Sequence, residues 1–546
     1  MNSRIILAKN IKIDKQYTNV LSYEEEDMLN LCLNQEHLVA QDNSYSFIRS
    51  NNSIMTGFTY EQCLQANYIA FQNSDYSNKW FFAWIDEVIY KGEKNTEILF
   101  TIDSWSTWFE YWTKKMCYIN RQHVNDDTIG LHTINENLDV GEVIQEQVTE
   151  DLSYSNSNRF YIVVASNWNI KDNSTGDELL PSGRGTQNAN ISVYNNNVFG
   201  YRLFLFPITA LQDYTNVALF ILRTNSDNHI NDIQNMFVLP DIAVNRSQLT
   251  QHNASVSGTN FSWYTLQNNI NSNTFNSVIN KRNTFSDFQP KNNKCFCYPY
   301  NYLFVTNNQG NNNIYKYEDF TTENCIFENQ FSVSIGGSGR LVPKNYKNML
   351  YNDDEALPLG KYPTCGWSSD AYTNWLTKNS VNLATSGALL AGSIAATVAT
   401  GGATLPVAVG ATMSVASNVA NTIGQFNQAS LMPNISGGQP TGDVIWSVDA
   451  NKFSIREMRV KTEYLKIIDD YFTRFGYAIK CLEMPNITGR KYWNYIEIGS
   501  NEEIGYGSVP SKHMDIINNI CRRGVTIWHS HTNLGDYSLN NIIENI

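Results

Sequence analysis

Two histidines one residue apart, His529 and His531, close a short apolar run at residues 525–529 that reads as a strand. Alternate strand residues share a face, so the pair could offer two imidazoles to one metal ion. No third ligand is evident beyond the candidates His513 and Asp515, and the pair reads as surface histidines at a strand end. Cys295 and Cys297 form a C-x-C with no second pair, which makes them structural thiols. Gly336, Gly337, Ser338 and Gly339 lack the G-K-[ST] ending of a phosphate loop and read as a turn. Asp353, Asp354 and Glu355 are acidic without calcium-loop spacing. No G-x-S-x-G or H-E-x-x-H motif is present, and paired glycosidase carboxylates leave no signature of their own. The expectation is a non-enzyme with no catalytic residue, no metal and no cofactor.

The elements that position these residues read as strands for the most part. Aromatic residues make up 13% of the chain and only 17% is charged, with Asn-, Ser- and Thr-rich loops between aromatic runs. That balance predicts a mainly β (α+β) protein. Residues 80–85 (WFFAWI) are apolar on both faces, as in a buried strand, and Ile98, Phe100 and Ile102 share one face of the next. Trp105, Trp108, Phe109 and Trp112 follow at helical spacing, with Ser104 as the candidate N-cap, and form a core stripe. Strands are expected at 160–165, 201–206 and 301–305, and a short helix at 231–238. Val460, Tyr464, Ile467, Ile468, Tyr471, Phe472 and Phe475 fall on one helical face that stops at Gly476, and strands follow at 477–482 and 492–498.

The formal net charge is −13 and no basic block is present, which argues against tight DNA binding and suits a conduit. Nine scattered cysteines do not form a disulfide framework, and the apolar core at residues 5–8 is too short for a signal peptide. Synthesis in a reducing cytoplasm is expected.

Between Lys378 and Asp443 the chain has no acidic, basic or histidine residue. The centre of this stretch, residues 381–426, is dominated by Ala, Gly, Thr, Ser and Val. Its strongly apolar positions are Leu389, Leu390, Ile394, Val398, Leu405, Val407, Val409, Met413, Val415, Val419 and Ile423. Gly401, Gly402 and Pro406 mark a turn that divides it into halves of about 20 residues, each long enough as a helix to cross a bilayer core of about 30 Å. Small residues recur every fourth position, at Gly387, Ala391, Ala395 and Ala399 and at Ala408, Thr412, Ala416 and Ala420, a spacing that lets helices approach closely in lipid. Small and hydroxyl side chains gain little from entering lipid alone. The composition therefore fits several copies inserting together, first hidden and later exposed. A buried helical hairpin is the alternative.

With these residues in hand, the chain resembles the distal tail-tube, or tail knob, protein of small short-tailed double-stranded DNA phages. The likeness is carried by short blocks in a shared order. It begins with Tyr68, Ile69, Phe71, Gln72, Asn73, Asp75, Tyr76 and the run Asn78, Lys79, Trp80, Phe81, then Ile102, Asp103, Thr107 and Trp108. Arg121, His123, Val124, Asn125, Asp126, Asp127, Thr133, Ile134, Glu136, Leu138 and Gly141 follow, then Tyr298, Pro299 and Tyr300. After the apolar stretch come Lys461, Thr462, Glu463, Tyr464, then Phe475, Gly476, Tyr477, Pro485, Asn486, Trp493, Asn494 and Tyr495. Residues 524–529 and Gly535, Asp536, Tyr537, Ser538 complete it. Residues 145–290 match poorly, and His531 departs from the pattern.

The resemblance implies β-barrel-type tail-tube domains assembling as a homo-oligomer, a hexameric ring or tube, in the distal tail of the virion. It implies joining to the proximal tail (lower collar) protein, company with a tail-tip cell-wall hydrolase, and passage of double-stranded DNA without sequence-specific binding. The long apolar loop would plug the tube and later insert in the host cytoplasmic membrane as a pore for the genome. On this reading residues 1–145 form an N-terminal tail-tube β domain and 146–345 a middle, distal β-rich part. A connector at 346–378 leads to the membrane-penetrating loop at 379–442, and 443–546 complete the tail-tube domains. The rivals are a tail-associated protein that degrades cell-wall glycan or binds a receptor, its site among the loops of 145–340, and a secreted pore-forming toxin.

Overall fold

The computed structural model describes residues 3–48, 50–72, 77–149, 160–166, 189–194, 197–208, 213, 216–217, 219–220, 233–256, 259–266, 272–306, 312–332, 338–347, 364–366 and 453–544. They form two compact units. One gathers residues 1–142, 283–300 and 460–546, and the other residues 143–282 and 301–459. The described elements are mainly strands, with few helices.

The first unit opens with β1 (Arg4–Ala8), β2 (Asn19–Leu21), α1 (Glu25–Leu33), β3 (Leu38–Asp42), β4 (Tyr45–Ile48), β5 (Ser53–Thr56), α2 (Tyr60–Gln65), β6 (Tyr68–Gln72), β7 (Trp80–Gly92), β8 (Asn95–Ile102), α3 (Ser104–Trp108), β9 (Trp112–Lys114) and β10 (Cys117–Gln122). The second holds β11 (Val143–Thr149), β12 (Phe160–Ser166), β13 (Ala189–Tyr194), β14 (Asn197–Ile208), β15 (Ile233–Pro240), β16 (Leu249–Val256), β17 (Thr259–Leu266), β18 (Ser272–Asn280), β19 (Asn301–Thr306), β20 (Asn312–Tyr315), β21 (Asn324–Ser332), β22 (Ser338–Pro343), β23 (Thr364–Gly366) and β24 (Ser454–Val460). The chain closes in the first unit with α4 (Thr462–Phe475), β25 (Tyr477–Glu483), β26 (Trp493–Ile498), β27 (Gly505–Gly507), α5 (Ser511–Arg523) and β28 (Val525–Trp528).

Residues 4–102 supply a seven-stranded sheet ordered β3-β1-β6-β7-β8-β5-β4. Its central strands are apolar on both faces because both faces are covered. Ile6, Ala8, Tyr68, Ala70, Phe82 and Trp84 enter one core, while Ile5, Leu7, Ile69, Phe71 and Ala83 alternate into another. The two-residue repeat of a strand thus divides one apolar run between two cores. Burial of each large apolar side chain is worth about 1.5–3 kcal/mol. The second sheet of this unit, β2-β28-β26-β10-β25, combines chain from its N- and C-terminal segments. The short strand β2 lies parallel to β28, with Val20 opposite Ile527. The other unit has sheets β11-β24-β19-β20, β15-β12-β14-β17-β16 (with β13 on β14) and β18-β21-β22-β23. Its core includes Val163, Leu205, Leu303, Val305, Tyr315, Phe327 and Ile455.

Three local expectations are corrected. Of the helix expected at 231–238, the described residues 233–238 are strand: 233–240 are β15, paired along β12, because a compact apolar run ending in Pro240 suits a strand better. The cap of α3 is Asp103 and not Ser104, since the carboxylate accepts the amides of both Trp105 and Ser106, and α3 ends at Trp108 with Trp112 on β9. On α4 the buried apolar residues are Leu465, Ile468 and Phe472, whereas Ile467 is 67% exposed. The core role of Trp105, Trp108 and Trp112 holds, as all three are buried.

Candidate functional site

The residues with chemical potential in the first unit collect between its N-terminal and C-terminal segments. Glu136 lies in the loop after β10, and its carboxylate is fully buried between Arg121 and Lys294, with which it forms two ion pairs. It also accepts the Ala478 amide at 2.9 Å. Arg121 donates to the Gly476 carbonyl at 2.8 Å and lies 4.9 Å from the Tyr471 ring centre. Lys294 packs against the rings of Phe472 and Tyr477. Burial pulls its pKa below the ordinary lysine value even though Glu136 opposes the shift. Removing either cation's partner would leave a buried charge, so this cluster locks β10, β25 and residues 283–300 together.

A second acidic centre sits on the buried face of α4. Asp469 accepts the amides of Lys291 and Asn292, each at 3.0 Å, and the Asn292 side-chain amide at 2.9 Å. The Cys295 thiol donates to it at 3.8 Å. Burial, helped by Asp469, pushes that thiol well above its usual pKa, so it is inert. Nearby Asp127 accepts the Asn293 amide at 2.9 Å and the Tyr477 hydroxyl at 2.6 Å. Burial holds the Asp127 carboxyl above its ordinary pKa. Cys297 is likewise buried, and no disulfide involves the eight cysteines with described side chains.

The histidines proposed as metal ligands turn to different partners. His529 contacts Ser22 Oγ at 2.9 Å through Nδ1 and Asn494 Oδ1 at 3.0 Å through Nε2. His531 accepts the Lys12 amide at 3.3 Å, and its ring is edge-on to His37 with centres 4.9 Å apart. It is 5% exposed, so the surface reading is wrong for His531; the C-terminal strand end packs back on residues 9–23. His513 meets Ser104 Oγ at 2.9 Å and lies over Trp108, while Asp515 is exposed on α5. Among the described residues no group of His, Cys, Asp and Glu could hold a metal. Ser104 and His513 have the contact of a nucleophile and base, but Ser104 is fully buried inside α3, beyond reach of a substrate. It ties α3 to α5.

His123 is buried between Tyr495, whose amide donates to Nδ1 at 2.8 Å, and the Thr473 carbonyl, 3.1 Å from Nε2. These partners demand a neutral ring, and burial next to Arg490 lowers its pKa to about 3. The arrangement fastens distant segments.

Many residues that carried the resemblance meet here: Arg121, His123, Asp127, Glu136, Tyr477, Asn494 and Tyr495. The reading of the sequence missed Asn292, Lys294, Asp469 and Arg490. An acid on the otherwise apolar face of α4 was the available signal for Asp469. The apolar stretch at 379–442, with every expected membrane-insertion and turn residue, lies outside the described residues, as do Gly336, Gly337, Asp353, Asp354 and Glu355. Ser338 and Gly339 open β22. Among the described residues no helix is long and apolar enough to cross a membrane.

Comparison with known proteins gives a consistent set of likenesses. Residues 262–542 match the family model described as the C-terminal domain of the Bacillus phage phi29 tail knob protein gp9. Residues 1–113 match the caudoviral major tail protein N-terminus. The chain is 24% identical to tail knob protein gp9 of Bacillus phage phi29, over 88% of each chain. It is 22% identical to the protein of the same name from Bacillus phage B103, over 92% of each. Its fold is similar to that of the bacteriophage C1 tail knob protein gp12, with a TM-score of 0.60 at 14% identity over 99% of this chain and 100% of that one.

Proposed function

This chain belongs to the phage tail knob family of Bacillus phage phi29 gp9, and from that premise we propose that it builds the distal tail tube through which the genome leaves. It is a structural protein of the virion tail. Six copies form a ring that continues the proximal tail (lower collar) protein and carries the wall hydrolase at its tip. Double-stranded DNA slides through without sequence-specific contact, which an acidic chain of net charge −13 favours over a clamp.

The carrying observation is the uncharged stretch at 379–442, which falls inside the family match at 262–542. Leu389, Leu390, Ile394 and Val398 in one half, and Leu405, Val407, Val409, Met413, Val415, Val419 and Ile423 in the other, supply the apolar surface. Gly401, Gly402 and Pro406 shape the tip of the hairpin. The loops close the tube before infection and afterwards line a pore in the host cytoplasmic membrane. Their close four-residue spacing of small side chains supports insertion as a group.

Cryo-electron microscopy of virions carrying a tagged copy tests the placement. The expected result is six tags around the distal end of the tail. Label on the capsid or at the proximal collar would overturn it.

A further inference from the structure

The six histidines of the first unit, His37, His123, His132, His513, His529 and His531, have one feature in common. Each makes a contact that joins chain before residue 142 to chain after residue 460. His123 bonds to Thr473 and Tyr495, His513 to Ser104, His529 to Ser22 and His531 to Lys12. His37 meets the His531 ring, and His132 lies 5.6 Å from the Tyr477 ring centre. The seven-stranded sheet, in contrast, is built wholly from residues 4–102, and none of these bonds belongs to its ladders.

We propose that this seam is an acid-operated latch, in which protonation of His123, His513 and His531 frees the C-terminal segment from the N-terminal one while the seven-stranded sheet stays folded. A neutral imidazole offers one donor and one acceptor, and a second proton occupies the acceptor. In His123 and His531 that acceptor holds a backbone amide, of Tyr495 and Lys12. Acid therefore replaces each bond by two facing donors.

The surrounding charges decide which histidines act. His123 faces Arg490, Arg121 and His529, His531 faces His37 and Lys12, and His513 faces Lys512, so each would gain its charge beside other cations. His529 differs in having the Glu544 carboxylate nearby, which opposes in part the effect of its burial. Burial opposes the charged form of His123, His513 and His531 in the same direction. The segment that the latch holds is the one to which the chain returns after the uncharged stretch.

Hydrogen exchange on the full-length protein at about pH 7 and about pH 4.5, corrected for intrinsic rates, reads the latch directly. Amides of β26, α5 and β28 should lose at least about tenfold in protection at the lower pH, while those of β6, β7 and β8 keep theirs. His531→Gln and His123→Asn keep an acceptor oxygen near the same place without titrating, and should reduce that loss. If His123→Asn fails to fold at neutral pH, His513→Asn, on a half-buried ring, carries the comparison. Equal loss of protection across sheet and seam, or an unchanged acid response in the substituted proteins, would overturn the proposal.

Discussion

Asp469 and Asn292, separated by 177 residues of sequence, are joined by three hydrogen bonds. Asp469 Oδ1 accepts both the backbone and side-chain amides of Asn292, and its own carbonyl accepts a third at 3.0 Å. The bonds fix residues 291–295 against α4, and the carboxylate is 2% exposed. Asp469→Ala leaves the Lys291 and Asn292 amides without their acceptor. The expected cost is about 3 kcal/mol or more, seen as a lower thermal midpoint. A midpoint unchanged from the parent would show that the centre is dispensable.

Two glycines separate strain from overlap. Gly476 has φ +65 and a Cβ there would lie 2.2 Å from the Gln122 carbonyl oxygen, while Gly535 has φ +88 with nothing within 4 Å. Gly535→Ala should cost only the left-handed backbone penalty, about 1–2 kcal/mol. Gly476→Ala should cost more, because α4 and β10 must also separate. Chemical denaturation of the two proteins, compared side by side, checks the order.

The cysteines should divide sharply in reactivity. Burial pushes Cys32 and Cys325 up to about 12 and Cys117 up to about 11, and each is enclosed. Cys481 alone is exposed among the eight with described side chains. Brief alkylation of the native protein near neutral pH, followed by peptide mass analysis, should therefore modify Cys481 well before those three.

Acid should weaken the first unit through its histidines, and the sign follows from their neutral folded state. His123 and His531 have folded pKa values lowered to about 3 and about 4, chiefly by burial. Their stabilising contribution is full above the ordinary histidine value of about 6.5 and is lost as pH falls toward about 4. Asp103 and Asp127, raised by burial, act in the opposite sense and favour the fold in acid. The thermal midpoint of His531→Gln should accordingly fall less than that of the parent across this range.

Elements with a clear period were legible in the sequence, and long-range partners were not. The apolar run at 80–85, the helix stopped by Gly476 and the strands at 493–498 and 525–528 announce themselves by spacing and by glycine. The region at 231–238 misled because a short apolar run lacks a period that separates strand from helix. Ile467 misled because α4 turns its Leu465 side inward. The buried charges were invisible for a different reason. Glu136 meets Lys294 across 158 residues, and no local pattern declares which cation a carboxylate will find.

Charge placed in the uncharged stretch should separate folding from membrane activity. Ala395→Asp or Val409→Asp puts an acid within one half of the proposed hairpin, at about 2.5–3.5 kcal/mol per copy at a membrane centre. The substituted proteins should keep the parent's thermal midpoint and lose permeabilising activity. Full activity in either would remove the stretch from the pore.

The most direct test is dye release from anionic liposomes across pH, by the full-length protein and by a form lacking residues 381–426. The account predicts release by the first and none by the second, with both forms folded. Equal release by the two would contradict it and locate membrane activity elsewhere in the chain.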